Sequence, residues 1–280
     1  MTPDSPAHYQ QHGHMIARAL FTPREIAEMK AAADRIKQHA AAHPTPAQTG
    51  NIRYVVEQDP NVGTNVRAAS WPAHLEPALE AARTHPNVFA LIQPLLGNAI
   101  KQLTCQLHFK TPGSRMVVQF HTDRQNRVIN QRNDLRDMHR AFCQTAVAID
   151  PMTECNGALR VIPGSHRRPD ALGTVDDIYS QQDLADDRLA DAQFNGDDAI
   201  PLLADPGDVV AWHPDLIHGS GLNNHPTLDR CLYINGYVNA HDCFRGQWAW
   251  LDAQPVPLPN ENIPVLINGD PSFDHYPLDV

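Results

Sequence analysis

The sequence predicts a mainly β protein with flanking α-helices, built as an antiparallel sandwich or jelly roll. Apolar residues at helical spacings are concentrated in the first hundred residues, whereas short β-rich runs separated by Gly, Pro and Asn turns follow from Lys101 onward. Many short strands of this kind are typical of an antiparallel β core rather than of a parallel α/β sheet.

Three helices are predicted in the N-terminal part. The first begins after Thr22, which forms a capping box with Glu25, and it extends to about Ala41. Two proline-bounded stretches with apolar residues three and four apart predict helices over Leu75–Arg83 and Val88–Leu96. We therefore expect helices to dominate the first hundred residues.

The β core is predicted from runs rich in β-branched and aromatic residues. These runs are Lys101–Lys110, Met116–Phe120, Thr145–Ile149, Leu159–Ile162, Asp208–Trp212 and Cys231–Val238. No internal repeat or linker marks a boundary, so we expect one domain. Its parts would be a helix-rich region (1–100), a β core with insertions (101–250) and a C-terminal tail (251–280).

The composition is that of a globular protein, with 42% hydrophobic and 19% charged residues in 280. Its net charge of -10 repels phosphate backbones and anionic lipids, so we expect neither a nucleic acid nor a membrane partner. The N-terminus lacks a basic start followed by a long apolar stretch, which predicts a cytoplasmic protein. The 5 cysteines show no CxxC spacing, which argues against a disulfide framework and a structural zinc site.

A metal site is indicated by two segments far apart in the chain. His121 and Asp123 end a strand-like run, and residues two apart on a strand point the same way, so both can bind one ion. His218, after another predicted strand, would be the third ligand, with His213 as the alternative. Two histidines and a carboxylate on one face of an octahedron suit iron(II) and leave room for a chelating 2-oxo acid and dioxygen, whereas zinc prefers a tetrahedral site.

An anchor for a dicarboxylate follows the third ligand. Arg230 opens a β-rich run, and its guanidinium can form a two-pronged pair with the distal carboxylate of 2-oxoglutarate. Ser220 could donate to the same carboxylate. A strand-end salt bridge is the alternative role for Arg230.

These motifs together resemble the phytanoyl-CoA dioxygenase family of iron(II)- and 2-oxoglutarate-dependent oxygenases. The resemblance covers most of the chain, and its most distinctive stretch is Asn156–His166. The other matching segments, in family order, are Gly13–Ala27, Lys110–Gly113, Phe120–Asp123, Gly207–Val210, His218–Asn223 and Arg230.

The resemblance implies a double-stranded β-helix, a cupin-like jelly roll, with the metal at its mouth. It implies three cofactors or co-substrates: iron(II), 2-oxoglutarate and dioxygen. The usual outcome is hydroxylation of a C–H bond with release of succinate and CO2. Polar residues on the strand Lys101–Lys110 look inward in the family, which makes Gln106 a candidate for contact with 2-oxoglutarate and His108 a candidate for contact with substrate.

The substrate class is predicted from the connection that follows Asp123. Arg124, Arg127 and Arg132 are candidate substrate-binding residues, because arginine forks suit oxyanions and the first of them adjoins a metal ligand. They predict a small, polar, anionic metabolite such as a carboxylate or phosphonate. The alternative is a solvated loop whose arginines pair with nearby acidic residues.

Two other functions remain open from the sequence. One is a cupin-like binding protein that has the β core without catalysis, and the complete ligand set argues against it. The other is a metal enzyme that does not use 2-oxoglutarate, and the presence of Arg230 and Ser220 argues against it.

Overall fold

The computed structural model describes residues 5–43, 48–49, 51–126, 137–169, 171–172, 178–180, 184, 187–243 and 246–259. Two antiparallel sheets form the centre of this part of the chain, and helices cover the outer face of the larger sheet. None of the helices in these ranges is long and apolar enough to cross a membrane.

The helices are α1 (Pro6–His12), α2 (Pro23–Ala42), α3 (Pro77–Arg83), α4 (Pro86–Leu96), α5 (Asp123–Asn126), α6 (Met138–Ala141) and α7 (Asp187–Asp191). α2 begins at the predicted capping box: the backbone N–H of Glu25 donates to Oγ1 of Thr22 at 3.3 Å, and the backbone N–H of Thr22 donates to Oε2 of Glu25 at 2.7 Å. α3 and α4 each begin at a proline rather than at the predicted first residue, because proline fits the first helical position.

The strands are β1 (His14–Ala17), β2 (Gln48–Thr49), β3 (Ile52–Asp59), β4 (Gly63–Ser70), β5 (Ile100–Lys110), β6 (Val117–His121), β7 (Phe142–Ala148), β8 (Arg160–Val161), β9 (Tyr179–Ser180), β10 (Ile200–Pro201), β11 (Val209–Trp212), β12 (His218–Ser220), β13 (Arg230–Asn239), β14 (Gln247–Leu251) and β15 (Gln254–Pro255). Every predicted strand overlaps one of them.

The larger sheet has 10 strands in the order β1-β11-β7-β13-β5-β4-β3-β2, with β14 added to β5 and β15 added to β14. The smaller sheet has 5 strands in the order β10-β8-β12-β6-β9. Consecutive strands from β5 to β8, and again from β11 to β13, alternate between the two sheets. This alternation is the winding of a double-stranded β-helix, and the predicted jelly-roll core is confirmed.

The alternation of side chains along β13 separates two cores. Leu232 packs with Ala146, Val161 and Val210, so apolar side chains of both sheets share one cluster inside the jelly roll. Tyr233 points to the other face, where the helices pack, and its hydroxyl donates to the carbonyl of Leu79 in α3 at 3.0 Å. Because side chains two apart share a face, Arg230 lies on the same inner face as Leu232.

The prediction that helices dominate the first hundred residues is wrong over residues 52–70. There β3 and β4 form a hairpin, and β4 pairs with β5, so the N-terminal part extends the larger sheet. The expected division into three parts of one domain stays a prediction. All five cysteines are free thiols, as the lack of a disulfide pattern predicted.

Candidate metal centre

The two histidines of the predicted metal triad lie on neighbouring strands of the smaller sheet. β6 ends at His121, β12 begins at His218, and the antiparallel register pairs the two residues directly, with ring centroids 4.2 Å apart. Asp123 lies at the start of α5, so it approaches the histidines from a helix and not, as expected, from the same strand as His121. The ligand atoms of the three buried side chains all lie within 4.8 Å of one another.

Hydrogen bonds fix which atoms of the histidines can bind a metal. Nδ1 of His121 lies 2.7 Å from the carbonyl oxygen of Gln119, and Nδ1 of His218 lies 2.8 Å from that of Leu216. A carbonyl only accepts, so each Nδ1 carries the proton and each Nε2 keeps its lone pair for a metal. Partners of this kind orient histidine ligands and raise their basicity.

The carboxylate of the triad is held as well. The indole Nε1–H of Trp212 donates to Oδ2 of Asp123 at 3.0 Å, inside the protein. Two neutral imidazoles and one carboxylate on one side of an ion form the ligand set of non-haem iron(II) oxygenases and leave coordination positions open. The residues present therefore fit iron(II).

His213, the alternative third ligand, has both ring nitrogens in other hydrogen bonds. Its Nε2 lies 2.6 Å from the carbonyl oxygen of His139, and its Nδ1 accepts the backbone N–H of Asp215 at 3.1 Å. His218 faces His121 across the register, so the structure places His218 and not His213 in the triad.

A second group of possible ligands, His139, His213 and Asp215, also has its ligand atoms within 4.8 Å. Here, however, Arg124 forms a two-pronged ion pair with Asp215, with Nη2 donating to Oδ2 at 2.8 Å. Burial of Asp215 acts to raise its pKa, but hydrogen bonds from Arg124 and His139 outweigh it and hold the pKa below the usual value. The carboxylate is already neutralised by a guanidinium, so this group is an ion-pair network rather than a second metal site.

The pairing of Arg124 differs from its expected contact with substrate. Its side chain points to Asp215, and its backbone N–H donates to the carbonyl of Pro214 at 3.1 Å. Arg124 follows Asp123 directly, so these bonds attach the metal ligand's neighbour to the loop between β11 and β12. Arg127 and Arg132, the other two arginines expected at the substrate, lie outside the described residues.

Arg230 is a buried cation without a matching anion among the described residues. It is 3% exposed, its Nε has no hydrogen-bond partner in the described part of the chain, and burial lowers its pKa to about 10. The alternative strand-end salt bridge is not formed with any described residue. A buried guanidinium N–H left unpaired is costly unless a ligand supplies the acceptor.

Lys110 is a second buried basic residue beside Arg230, and the sequence interpretation missed it. The two residues are cross-strand partners on β5 and β13. Nζ of Lys110 donates to the carbonyls of Ser220 at 3.0 Å, Met116 at 3.2 Å and Gly221, and burial lowers the pKa of Lys110 well below its usual value. These three carbonyls take up the donors of Nζ, so Lys110 ties β5 to Ser220 and its neighbours, and Arg230 keeps the donor suited to a carboxylate.

Gln106 and His108 face inward from β5, as expected, and line a cavity of about 260 Å³. His108 Nε2 lies 2.9 Å from Oε1 of Gln106, whose Nε2 donates to Oγ of Ser70 at 3.5 Å. Burial, assisted by the positive charges of Arg230 and Arg67, lowers the pKa of His108 to about 3. His108 is therefore neutral and donates to Gln106 through Nε2.

Known proteins resemble this chain over most of its length. A family model described as phytanoyl-CoA dioxygenase (PhyH) matches residues 9–227. A probable alpha-ketoglutarate-dependent hypophosphite dioxygenase of Stutzerimonas stutzeri is 25% identical over 241 residues, which cover 83% of this chain and 77% of that protein. The dioxygenase FrzG of Cladobotryum sp is 32% identical over 90 residues, but the matched part is 31% of this chain and only 24% of that protein.

The fold recurs in solved structures. EctD from S. alaskensis, crystallised with 2-oxoglutarate and 5-hydroxyectoine, superposes with a TM-score of 0.66 at 21% identity, covering 91% of this chain and 89% of that one. The family match extends through the metal triad that the structure brings together. The chain belongs to the phytanoyl-CoA dioxygenase family of iron(II)- and 2-oxoglutarate-dependent dioxygenases.

Proposed function

We propose that the protein hydroxylates an unactivated C–H bond of a small, polar, anionic metabolite such as a carboxylate or phosphonate. One oxygen atom of dioxygen enters the substrate as a hydroxyl group, and the other enters succinate as 2-oxoglutarate loses CO2. Iron(II), when bound, supplies the activation of dioxygen that no amino-acid side chain can provide.

The observation that carries the proposal is a pair of buried features: the metal triad, and the Nε of Arg230, which has no hydrogen-bond partner among the described residues. His121 and His218 would hold iron through Nε2, and Asp123 through its carboxylate. Arg230, with Ser220, would bind the distal carboxylate of 2-oxoglutarate. Gln106, on the same inner face of β5, stays the proposed further contact with 2-oxoglutarate.

The dimensions of the cavity support a small substrate. A volume of about 260 Å³ lies below the range of roughly 300–1,000 Å³ that is usual for pockets holding drug-sized ligands. The name of the Stutzerimonas relative points the same way, since hypophosphite is a small oxyanion. His108, which lines the cavity, is the proposed substrate contact on β5.

The test is the formation of succinate by the purified protein supplied with iron(II), ascorbate, dioxygen and 2-oxoglutarate. We expect slow succinate formation without substrate and faster, product-coupled formation with a suitable anion. No succinate from iron-loaded protein, even across a broad substrate screen, would favour the non-catalytic cupin-like alternative. Oxidised product without consumption of 2-oxoglutarate would favour the other metal enzyme.

The thiols and the net charge of the protein support a proposed cellular location and a class of binding partner. Five free cysteines, four of them buried, suit the reducing cytoplasm, which is our proposed location. The net charge of -10 supports a small-molecule substrate rather than nucleic acid or a membrane surface. Fractionation of the native cells, with the protein followed by immunoblot, tests the location.

A further inference from the structure

A β-bulge in the N-terminal hairpin determines the direction of one arginine side chain. Along β3 and β4 the register pairs Val55 with Ala68 and Val56 with Val66, which leaves Arg67 as an extra residue on β4. A bulge of this kind turns the extra side chain away from the regular alternation, and such bulges are frequent next to active sites. Arg67 lines the same cavity as Gln106 and His108.

The guanidinium of Arg67 is positioned but only loosely paired. Its central carbon lies 3.6 Å from the ring centroid of Tyr179, a stacked arrangement that fixes the plane of the group. Its Nε is buried and has no hydrogen-bond partner in the described part of the chain. Among the described residues its carboxylate neighbour is Glu57, whose Oε2 lies 4.0 Å from Nη1 and whose Oε1 accepts from Asn65 at 3.2 Å. A pair at this separation contributes little.

The described residues that line the cavity include basic side chains but no acidic one. Arg53 lines it beside Arg67, and the register places Arg53 opposite Ser70, which lies next to Gln106. Among the described residues that line the cavity, none is an Asp or Glu. An anion that entered would meet the guanidinium groups of Arg53 and Arg67, and no carboxylate from the described lining residues would repel it.

The cavity lies between His108 on β5 and the strand β6 that carries His121. On one side, Ala68, the neighbour of Arg67, is the cross-strand partner of His108. On the other side, Tyr179, which lines the cavity, is the cross-strand partner of Val118 on β6, the strand that ends at the metal ligand His121. A small molecule bound at Arg67 would therefore lie next to His108 and to the strand that leads to His121.

We propose that Arg67, with Arg53 beside it, binds the anionic group of the substrate and so determines that this enzyme selects oxyanions. This inference rests on the proposed function, because it assigns a residue to the substrate of that same site. Arg230 binds the distal carboxylate of 2-oxoglutarate, whereas Arg67 binds a carboxylate or phosphonate group of the substrate. The fork of the guanidinium suits two oxygens of such a group.

The test compares three probes on the anaerobic enzyme loaded with iron(II) and 2-oxoglutarate: propionate, methylphosphonate and the neutral isostere propionamide. Binding is measured by calorimetry. We expect wild type to prefer the anions, and Arg67→Gln to weaken them by about 10- to 100-fold, the usual effect of losing a charge-assisted hydrogen bond. The affinity for 2-oxoglutarate should stay unchanged in Arg67→Gln, and Arg67→Lys should recover part of the anion binding.

Two controls separate this role from others. Arg24→Gln removes an exposed arginine of α2 and should change neither the affinity for the anions nor that for 2-oxoglutarate. Glu57→Gln should preserve or strengthen anion binding if Arg67 binds the anion. Wild type that binds the anions no better than propionamide overturns the proposal, as does Arg67→Gln with unchanged anion affinity or an equal loss for 2-oxoglutarate. Absence of succinate formation in wild type would instead remove the proposed function, and the binding data would still decide the role of Arg67.

Discussion

Replacing Arg230 by Gln should weaken the binding of 2-oxoglutarate without lowering the stability of the protein. The guanidinium is 3% exposed and its Nε has no partner among the described residues, so no described salt bridge is lost with it. Loss of a charge-assisted hydrogen bond to 2-oxoglutarate costs about 1.5–3 kcal/mol, which is about one to two decades in affinity. The free energy of unfolding without ligand should stay the same or rise, because a buried and unpaired charge is removed.

The assay is succinate formation as a function of 2-oxoglutarate concentration, with thermal unfolding of the apoprotein measured in parallel. Iron binding should survive in Arg230→Gln, since the triad is intact. Arg24→Gln serves as the matched arginine control on the surface of α2. A variant that needs no more 2-oxoglutarate than wild type would refute the assignment.

Three further changes probe the metal centre. His218→Ala should abolish iron-dependent turnover while circular dichroism stays that of wild type; a variant with near-full activity would exclude this ligand. Trp212→Phe removes the hydrogen-bond donor to Asp123 and should weaken iron binding by about 10- to 100-fold, measured by metal titration, and an unchanged affinity would contradict it. Asp215→Asn breaks the ion pair with Arg124 and should lower the free energy of unfolding by about 3 kcal/mol. This is the low end of the range of about 3–5 kcal/mol for breaking a buried ion pair, because Arg124 can still reach water. An unchanged denaturation curve would contradict this prediction.

The metal triad could be predicted because its signal is local. The two-residue spacing of His121 and Asp123, and the position of His218 after a strong strand, are visible in the sequence. The hydrogen bonds that select Nε2 of each histidine are equally local, since each Nδ1 bonds a carbonyl two residues earlier. The contribution of Trp212 depends on the pairing of distant strands and could not be deduced from spacing.

The partners of charged residues were the least predictable part of the site. Arg124 was assigned to substrate from local charge alone, but its partner Asp215 is 91 residues away along the chain. Lys110 ends a strand, where a lysine usually reaches solvent, yet the structure buries it. The signal that could have revealed it is the polar alternation Gln106, His108 and Lys110 between apolar neighbours.

The hairpin of β3 and β4 was missed for a related reason. Its strands carry charged residues, because one strand lies near the edge of the sheet and much of it is half-exposed. The turn around Asn61 and Gly63, between two runs containing β-branched residues, was the available signal. Without the hairpin the sequence offers no reason to place Arg67 in one cavity with Gln106 and His108.

The most direct test of the central claim is the position of iron in crystals grown without oxygen in the presence of iron(II) and 2-oxoglutarate, measured by anomalous scattering at the iron edge. We expect one iron, bound by Nε2 of His121, Nε2 of His218 and the carboxylate of Asp123, with the distal carboxylate of 2-oxoglutarate at Arg230. Iron at His139, His213 and Asp215, or 2-oxoglutarate bound away from Arg230, would contradict the account.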